Sequence, residues 1–343
     1  MQQTGIDFVV TWVDGNDPAW QKEKAAHSDQ KNAQALTSRI DSRNVRYRDL
    51  GLLRYWFRGV EKFAPWVRKI HFVTWGHMPD WLDIDNPKLN VVRHEDFIPK
   101  EFLPTFNSNA IEIHMHRIKG LSERFVYFND DMFLIRRAEE TDFFKGGKPC
   151  DILAFQPIVA NPANPIMSHL LLNDALVISK YFDKRENVKK QPDKYFNPSY
   201  PPIYFFYNML ELAFPKFTGF FSAHGPFSFC KQTFEELWER EDDQLRETSA
   251  HKFRSKDDLT IYLIREWQKL TGNFTAQNIN KYFKYFDLAA DNTELYRTIK
   301  TQKKKIVCIN DANCPIDFDR ISVELSKLFE EILPEKSSFE KSV

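Results

Sequence analysis

The sequence predicts an α/β fold built on a mainly parallel sheet flanked by helices. Short β-branched and aromatic runs alternate along the chain with segments of helical apolar period. Several of those runs are apolar throughout, as strands buried on both faces are, and stop at carboxylates and amides. The clearest is the stretch 125–134, where Phe-Val-Tyr-Phe runs into Asn129-Asp130-Asp131.

Residues 6–13 read as the first strand, closed by the turn formers Asp14-Gly15-Asn16-Asp17-Pro18. The polar, Ala-rich stretch 20–36 reads as a surface helix. The stretch 49–63 reads as a second helix, with Leu50, Leu53, Trp56 and Val60 in register and Pro65 ending it. Strands follow at 69–75 and 89–92, a helix at 108–120 with Ser108 as N-cap and Gly120 as C-cap, and a strand at 124–128. Another strand is expected at 151–155. Pattern is then lost through 161–229, a Pro- and aromatic-rich stretch read as an irregular lobe over the active edge of the sheet. Helices at 232–240, 257–270 and 321–333, a strand at 305–309, and a polar, frayed tail complete the chain. The expected organisation is an α/β core over 1–160, an inserted acceptor or lid lobe over 161–229, a helical completion over 230–333, and a flexible tail over 334–343.

A chain of 343 residues buries a large core, with Lys+Arg and Asp+Glu balanced at 48 each. That balance provides no global positive field, so nucleic acid is excluded as a partner and any polyanion site is local. Cys150, Cys230, Cys308 and Cys314 show no C-x-x-C pair or zinc-finger spacing. Buried thiols and a cytoplasmic location are therefore expected, with peripheral contact at the inner face of a membrane left open. No apolar stretch reaches the roughly 20 residues that cross a bilayer.

Adjacent Asp130 and Asp131 repel each other unless a cation or donors offset their charge, and hard oxygen ligands favour Mg²⁺ or Mn²⁺. An ordinary Asn-Asp-Asp turn accounts equally well for the tripeptide alone. In open α/β sheets ligands bind beyond the carboxyl ends of strands, where both Asn129-Asp130-Asp131 and Asp14-Gly15-Asn16-Asp17 fall. Asp14 and Asn16 are candidates to contact a base, ribose or metal, and Gly15 permits close backbone approach. On the expected helix 108–120, Glu112 and His116 lie four apart and share a face, with Arg117 adjacent as a bidentate phosphate donor. His224 and His251 are candidate bases in turn-like contexts, while His251 is followed by Arg254 and by Asp257-Asp258. Asn310-Asp311 repeats the amide and carboxylate theme after the last strand.

The segment Ile6-Asp7-Phe8-Val9-Val10-Thr11-Trp12-Val13-Asp14-Gly15-Asn16-Asp17 resembles the first conserved region of the Stealth family of hexose-1-phosphate transferases. A second region is similar from Arg48-Asp49-Leu50 through Leu103-Pro104-Thr105-Phe106-Asn107-Ser108 and His114-Met115-His116-Arg117 to Asn129-Asp130-Asp131. A third is similar at His224-Gly225-Pro226 and Thr248-Ser249-Ala250-His251-Lys252-Phe253-Arg254, and a fourth at Cys308-Ile309-Asn310-Asp311. The chain departs from the family's usual residues at Phe227-Ser228-Phe229.

The resemblance implies a GT-A-like core and a divalent metal held by Asp130, Asp131 and Asp311. The expected donor is a nucleoside diphosphate sugar, with a UDP-sugar favoured, contacted by Asp14, Gly15, Asn16, Asp17, Arg48, Asn129 and Asn310. The expected acceptor is an oligosaccharide or polysaccharide, free or lipid-linked, in capsular or cell-surface polysaccharide synthesis. His251 is the expected base, with His116 and His224 as alternates, and Arg48, Arg117 and Arg254 are the expected phosphate cations. The competing readings are a glycosyltransferase that releases a nucleoside diphosphate and a non-catalytic saccharide-binding module.

Overall fold

The architecture comes from a computed structural model, which describes residues 5–28, 40–41, 47–162, 164–311 and 316–341. In chain order its main elements are β1 (Ile6–Trp12), α1 (Pro18–His27), α2 (Leu53–Phe63), β2 (Ile70–Thr74), β3 (Leu89–Arg93), α3 (Ser108–Glu112), β4 (Arg124–Asn129) and β5 (Met132–Leu134). They continue with α4 (Pro165–Tyr181), α5 (Pro202–Glu211), β6 (Phe227–Cys230), α6 (Lys231–Ala250), α7 (Ile261–Leu270), β7 (Phe283–Asp287), β8 (Ile306–Asn310) and α8 (Phe318–Ile332).

The central five-stranded sheet has the order β3-β2-β1-β4-β6. Strands β1 to β4 are parallel, and β6 runs antiparallel at the edge. The order reverses at β1, because β2 and β3 extend to one side and β4 to the other. That reversal opens a crevice beyond the carboxyl ends of β1 and β4, the usual ligand position of such sheets. A second sheet, β7-β8-β5, joins β8 antiparallel to β5, with Cys308 opposite Met132. Apolar side chains fill both faces of the central sheet: Phe8, Phe72 and Phe128 on one, and Val9, Val73 and Tyr127 on the other.

Several expectations are corrected. Helix α2 begins at Leu53 rather than 49, because the Asp49 carboxylate accepts from the Gly51 amide (2.7 Å) and holds a turn there. The strand expected at 151–155 lies at Lys148–Asp151. Helix α1 is capped by Asp17, whose Oδ1 accepts from Trp20 N (2.8 Å), and it stops at His27 rather than running to 36, with Ser28 extended as the C-cap; residues 29–36 lie outside the described residues. The lobe 161–229, expected to be irregular, carries α4, α5 and the shorter helices Lys184–Lys190 and Pro192–Tyr195. Pro165, Pro192 and Pro202 stand in the first helical turn, where a missing N–H costs nothing, so these prolines start helices instead of breaking them. The tail is docked through residue 341. Phe339 is buried against Phe57 (ring centroids 5.2 Å apart), and Arg58 donates to the Glu340 carboxylate from both Nε and Nη2 (2.7 and 2.9 Å).

Candidate active site

A cleft of about 510 Å³ lies at the carboxyl ends of β1 and β4, lined by Thr11, Asn129, Asp130 and Asp131 among others. Thr11 pairs with Asn129 in register, so the parallel alignment delivers both strand ends to one edge. The Ile309 amide donates to the Asp131 carbonyl (2.8 Å) and brings Asn310 and Asp311 alongside. On the other flank β6 pairs antiparallel with β4, so the chain before it carries His224 past the end of β4. At Gly225 a Cβ would come within 2.9 Å of the Phe283 ring, so a larger residue there would force that ring to shift.

The acidic floor holds buried oxygens that lack partners among the described residues. Asn129 Oδ1 and Asp131 Oδ1 are buried without a hydrogen-bond partner. Burial, then Asp131, then Asp49, push the Asp130 carboxyl well above the carboxylate range. Asp131 Oδ2 lies 3.9 Å from His224 Nε2, and ligand atoms of Asp131, His224 and Cys308 all fall within 4.8 Å of one another. His224 Nδ1 is 3.0 Å from the Tyr262 hydroxyl. The Arg265 guanidinium, paired with buried Asp151, donates to the Ala223 carbonyl (2.8 Å) and fixes the turn that carries the imidazole.

Glu112 projects into the cleft from the end of α3, accepting from the Tyr127 hydroxyl (3.1 Å), which is itself 3.1 Å from Thr11 Oγ1. Burial pushes its carboxyl up to about 7, against the opposing pull of Arg254 and the Tyr127 hydroxyl. Arg254 also lines the cleft, donating to Ser108 Oγ (2.6 Å). Arg48 lines it as well, but its fork is engaged by both oxygens of Asp311 (2.7 Å each). The expected metal ligand Asp311 and the expected phosphate cation Arg48 are thus partners of each other. Asn310 donates to Asp287 Oδ1 (2.7 Å).

Other expected site residues stand elsewhere. The continuous helix 108–120 is corrected: α3 ends at Glu112 and a 3₁₀ turn covers Met115–Arg117. The Trp238 indole N–H donates to the Ile113 carbonyl (2.9 Å), which an α-helix would offer to Arg117 N. Glu112 and His116 therefore share no face. His116 is buried beside Phe234 and Trp238, its pKa lowered to about 3 by burial, and Arg117 lies 4.5 Å over the Trp238 ring. Neither lines the cleft among the described residues.

His251 stands one layer behind the cleft. Its Nδ1 is 2.7 Å from the buried carboxylate of Asp258, which also accepts from Asn107 and from the cleft-lining Asn109. That hydrogen bond raises the His251 pKa. Asp14, Gly15, Asn16 and Asp17 form the turn into α1: Asp14 Oδ1 accepts from Asn16 N (2.9 Å), and Asp17 is the helix cap. A Cβ at Gly15 would lie 2.1 Å from the Tyr47 carbonyl, so this glycine admits another chain segment.

Tyr262 and Cys308 had no role in the expected site, and Glu112 was expected on a face with His116 rather than in the cleft without it. Cys308 had a signal, as the neighbour of Asn310-Asp311. Tyr262 had none.

Three stretches of the chain match models of the Stealth protein: conserved region 1 over residues 4–31, conserved region 2 over 46–150 and conserved region 3 over 223–264. The chain is 42% identical over 337 residues to a capsular polysaccharide phosphotransferase, WcwK, of Streptococcus pneumoniae, with 98% of each chain covered. It is 39% identical over 345 residues to an exopolysaccharide phosphotransferase, cps2G, of Lactiplantibacillus plantarum, covering 98% of this chain and 96% of the relative. Among solved structures it is similar to mouse xyloside xylosyltransferase 1, at 10% identity and a TM-score of 0.37, covering 91% of this chain and 98% of the other.

Proposed function

The chain belongs to the Stealth protein family, and from that membership and the cleft we propose that it transfers a sugar 1-phosphate from a nucleoside diphosphate sugar to a saccharide hydroxyl. It is a phosphotransferase, and the proposed setting is capsular or exopolysaccharide synthesis. The observation that carries this reading is the meeting of Asn129, Asp130 and Asp131 with Glu112, His224 and Arg254 at one strand edge.

The acceptor oxygen forms a bond to the sugar-side phosphorus, the pyrophosphate P–O bond breaks, and nucleoside monophosphate leaves. The anomeric C–O bond is untouched, so configuration at that carbon is retained. His224 takes the acceptor proton in this reading, supported by its position at the cleft with its Nδ1 beside Tyr262 and its Nε2 facing Asp131. Arg254 offers a cation to the phosphoryl oxygens, and Glu112 sets the local charge beside it. The unpartnered oxygens of Asn129 and Asp131, with Asp130 adjacent, suit a divalent cation such as Mg²⁺ or Mn²⁺. Such a cation offsets charge on the pyrophosphate oxygens when bound. His251, the base expected from sequence, becomes a positioning residue behind Asn109.

The nucleotide product tests the proposal. Incubation with donor and acceptor should yield nucleoside monophosphate in step with saccharide product. Stoichiometric nucleoside diphosphate would overturn it in favour of glycosyl transfer, and absence of turnover across a panel of donors would favour a binding module.

A further inference from the structure

The second sheet turns one face toward His224. In strand β7 the side chains of Phe283, Tyr285 and Asp287 share a face, and the parallel register sets them level with Ile306, Cys308 and Asn310 of β8. Two contacts locate that face. The Phe283 ring stands 2.9 Å from where a Cβ on Gly225 would lie, and Cys308 Sγ is within 4.8 Å of ligand atoms of Asp131 and His224. Tyr285 lines the cleft, its ring centroid 5.8 Å from that of His224 with the planes at 81°. An edge-to-face contact of that kind covers at most one face of the tyrosine ring, and the residue is 37% exposed.

The ring is also fixed in place. Its hydroxyl donates to Asp287 Oδ1 (2.6 Å), which accepts from Asn310 Nδ2 as well (2.7 Å). A flat, exposed and immobilised aromatic surface suits a ligand with an apolar face, because little further freedom is lost on contact. A pyranose is such a ligand, with C–H groups across its ring and hydroxyls around its rim. Asp287 is exposed beside the tyrosine, so its carboxylate stands where rim hydroxyls would donate. The nearby cations are matched already: Arg48 is engaged by both oxygens of Asp311, and Lys284, on the opposite face of β7, pairs with Glu294. A sugar carboxylate would bring its charge against Asp287, whereas a neutral sugar would not.

The proposed reaction decides which substrate the ring meets. His224 Nδ1 faces the Tyr262 hydroxyl, which leaves Nε2 for the acceptor hydroxyl. A base works within about 2.6–3.2 Å of the oxygen it deprotonates, so the sugar that carries this hydroxyl lies against the groups around the imidazole, Tyr285 among them. We infer, resting on that reaction, that Tyr285 is the stacking platform of the acceptor subsite and holds a neutral pyranose by one face while Asp287 accepts from its hydroxyls.

The test is NMR of the full chain with no donor present, using the methyl β-glycosides of glucose, galactose, N-acetylglucosamine and N-acetylgalactosamine, and methyl β-glucuronide as the acidic probe. Saturation of the protein's aromatic protons should pass to the ring C–H protons of at least one neutral glycoside, and the glucuronide should bind more weakly than the glucoside. Tyr285→Ala should weaken binding of the neutral glycoside roughly tenfold, as expected when one sugar face and one ring face return to water. Tyr285→Phe keeps the ring and should bind nearly as the parent does, whereas Tyr285→Leu keeps apolar bulk without a flat face and should bind like the alanine variant. Affinity for UDP with Mg²⁺, read by calorimetry, should be the same in the parent and Tyr285→Ala. The inference is overturned if no neutral glycoside receives saturation, if the glucuronide binds as well as the glucoside, or if the alanine or leucine variant binds as well as the parent. It is overturned equally if UDP affinity falls in step with glycoside affinity, which would give the ring to the nucleotide. Glycoside binding is read without turnover, so its failure is separate from failure of the phosphotransfer reading.

Discussion

Glu112→Gln should make the protein more stable above neutral pH while leaving acid stability nearly unchanged. The side chain is buried at the cleft wall, and its carboxyl is pushed from 4.5 up to about 7, chiefly by burial. Glutamine keeps the shape and an oxygen for the Tyr127 hydroxyl but has no proton to lose. A carboxyl raised on folding contributes stability that is fully present below its unfolded value of 4.5 and lost as pH rises through about 7. A rise of that size corresponds to about 3 kcal/mol of stability lost by the parent across that window. Urea unfolding of parent and variant, followed from about pH 4 to about pH 8.5 with chelator present, reads the difference directly. The gap between the two should widen by about 3 kcal/mol as pH rises. A gap that stays constant would refute the reasoning, because it would mean that Arg254 keeps Glu112 ionised in the folded protein throughout.

His224→Gln should lower the single-turnover rate by about 10²–10⁴ while donor affinity holds, since it removes a proton acceptor and not a phosphate contact. Rapid-quench kinetics beside calorimetric donor binding separates the two. Arg254→Lys should weaken donor binding by roughly tenfold, because the ammonium keeps the charge but lacks the planar fork; titration calorimetry checks this. Phe339→Ala should cost about 3–5 kcal/mol of stability in denaturant unfolding, as a buried aromatic does when it leaves a cavity. A frayed tail would show no change.

The strand ends of the site were legible because parallel strands are buried on both faces. A Phe-Val-Tyr-Phe run that stops at Asn129 announces both the strand and its exit from the core. The end of α3 was not legible, because the Ile113 carbonyl is claimed by the Trp238 indole, 125 residues further along the chain. No local pattern records that contact, and it sends Glu112 into the cleft and His116 away from it. The sequence neighbours of His251 suggested a base among cations. Asp258, Asn107 and Asn109 instead turn it into part of a buried network one layer back. Prolines at helix starts hid α4 and α5, since the same residue breaks a helix interior and favours its first turn. The docked tail depends on Phe339 and Glu340 meeting Phe57 and Arg58, an interaction with no periodicity to betray it.

The most direct test of phosphotransfer is the fate of the donor's two phosphorus atoms. A nucleoside diphosphate sugar labelled at the phosphorus next to the sugar, supplied with saccharide acceptor and Mg²⁺, should pass its label into the saccharide product as a phosphodiester, while the nucleotide leaves unlabelled as the monophosphate. Label recovered wholly in nucleoside diphosphate, with an unphosphorylated glycoside as product, would contradict the account even if every residue named above proved essential.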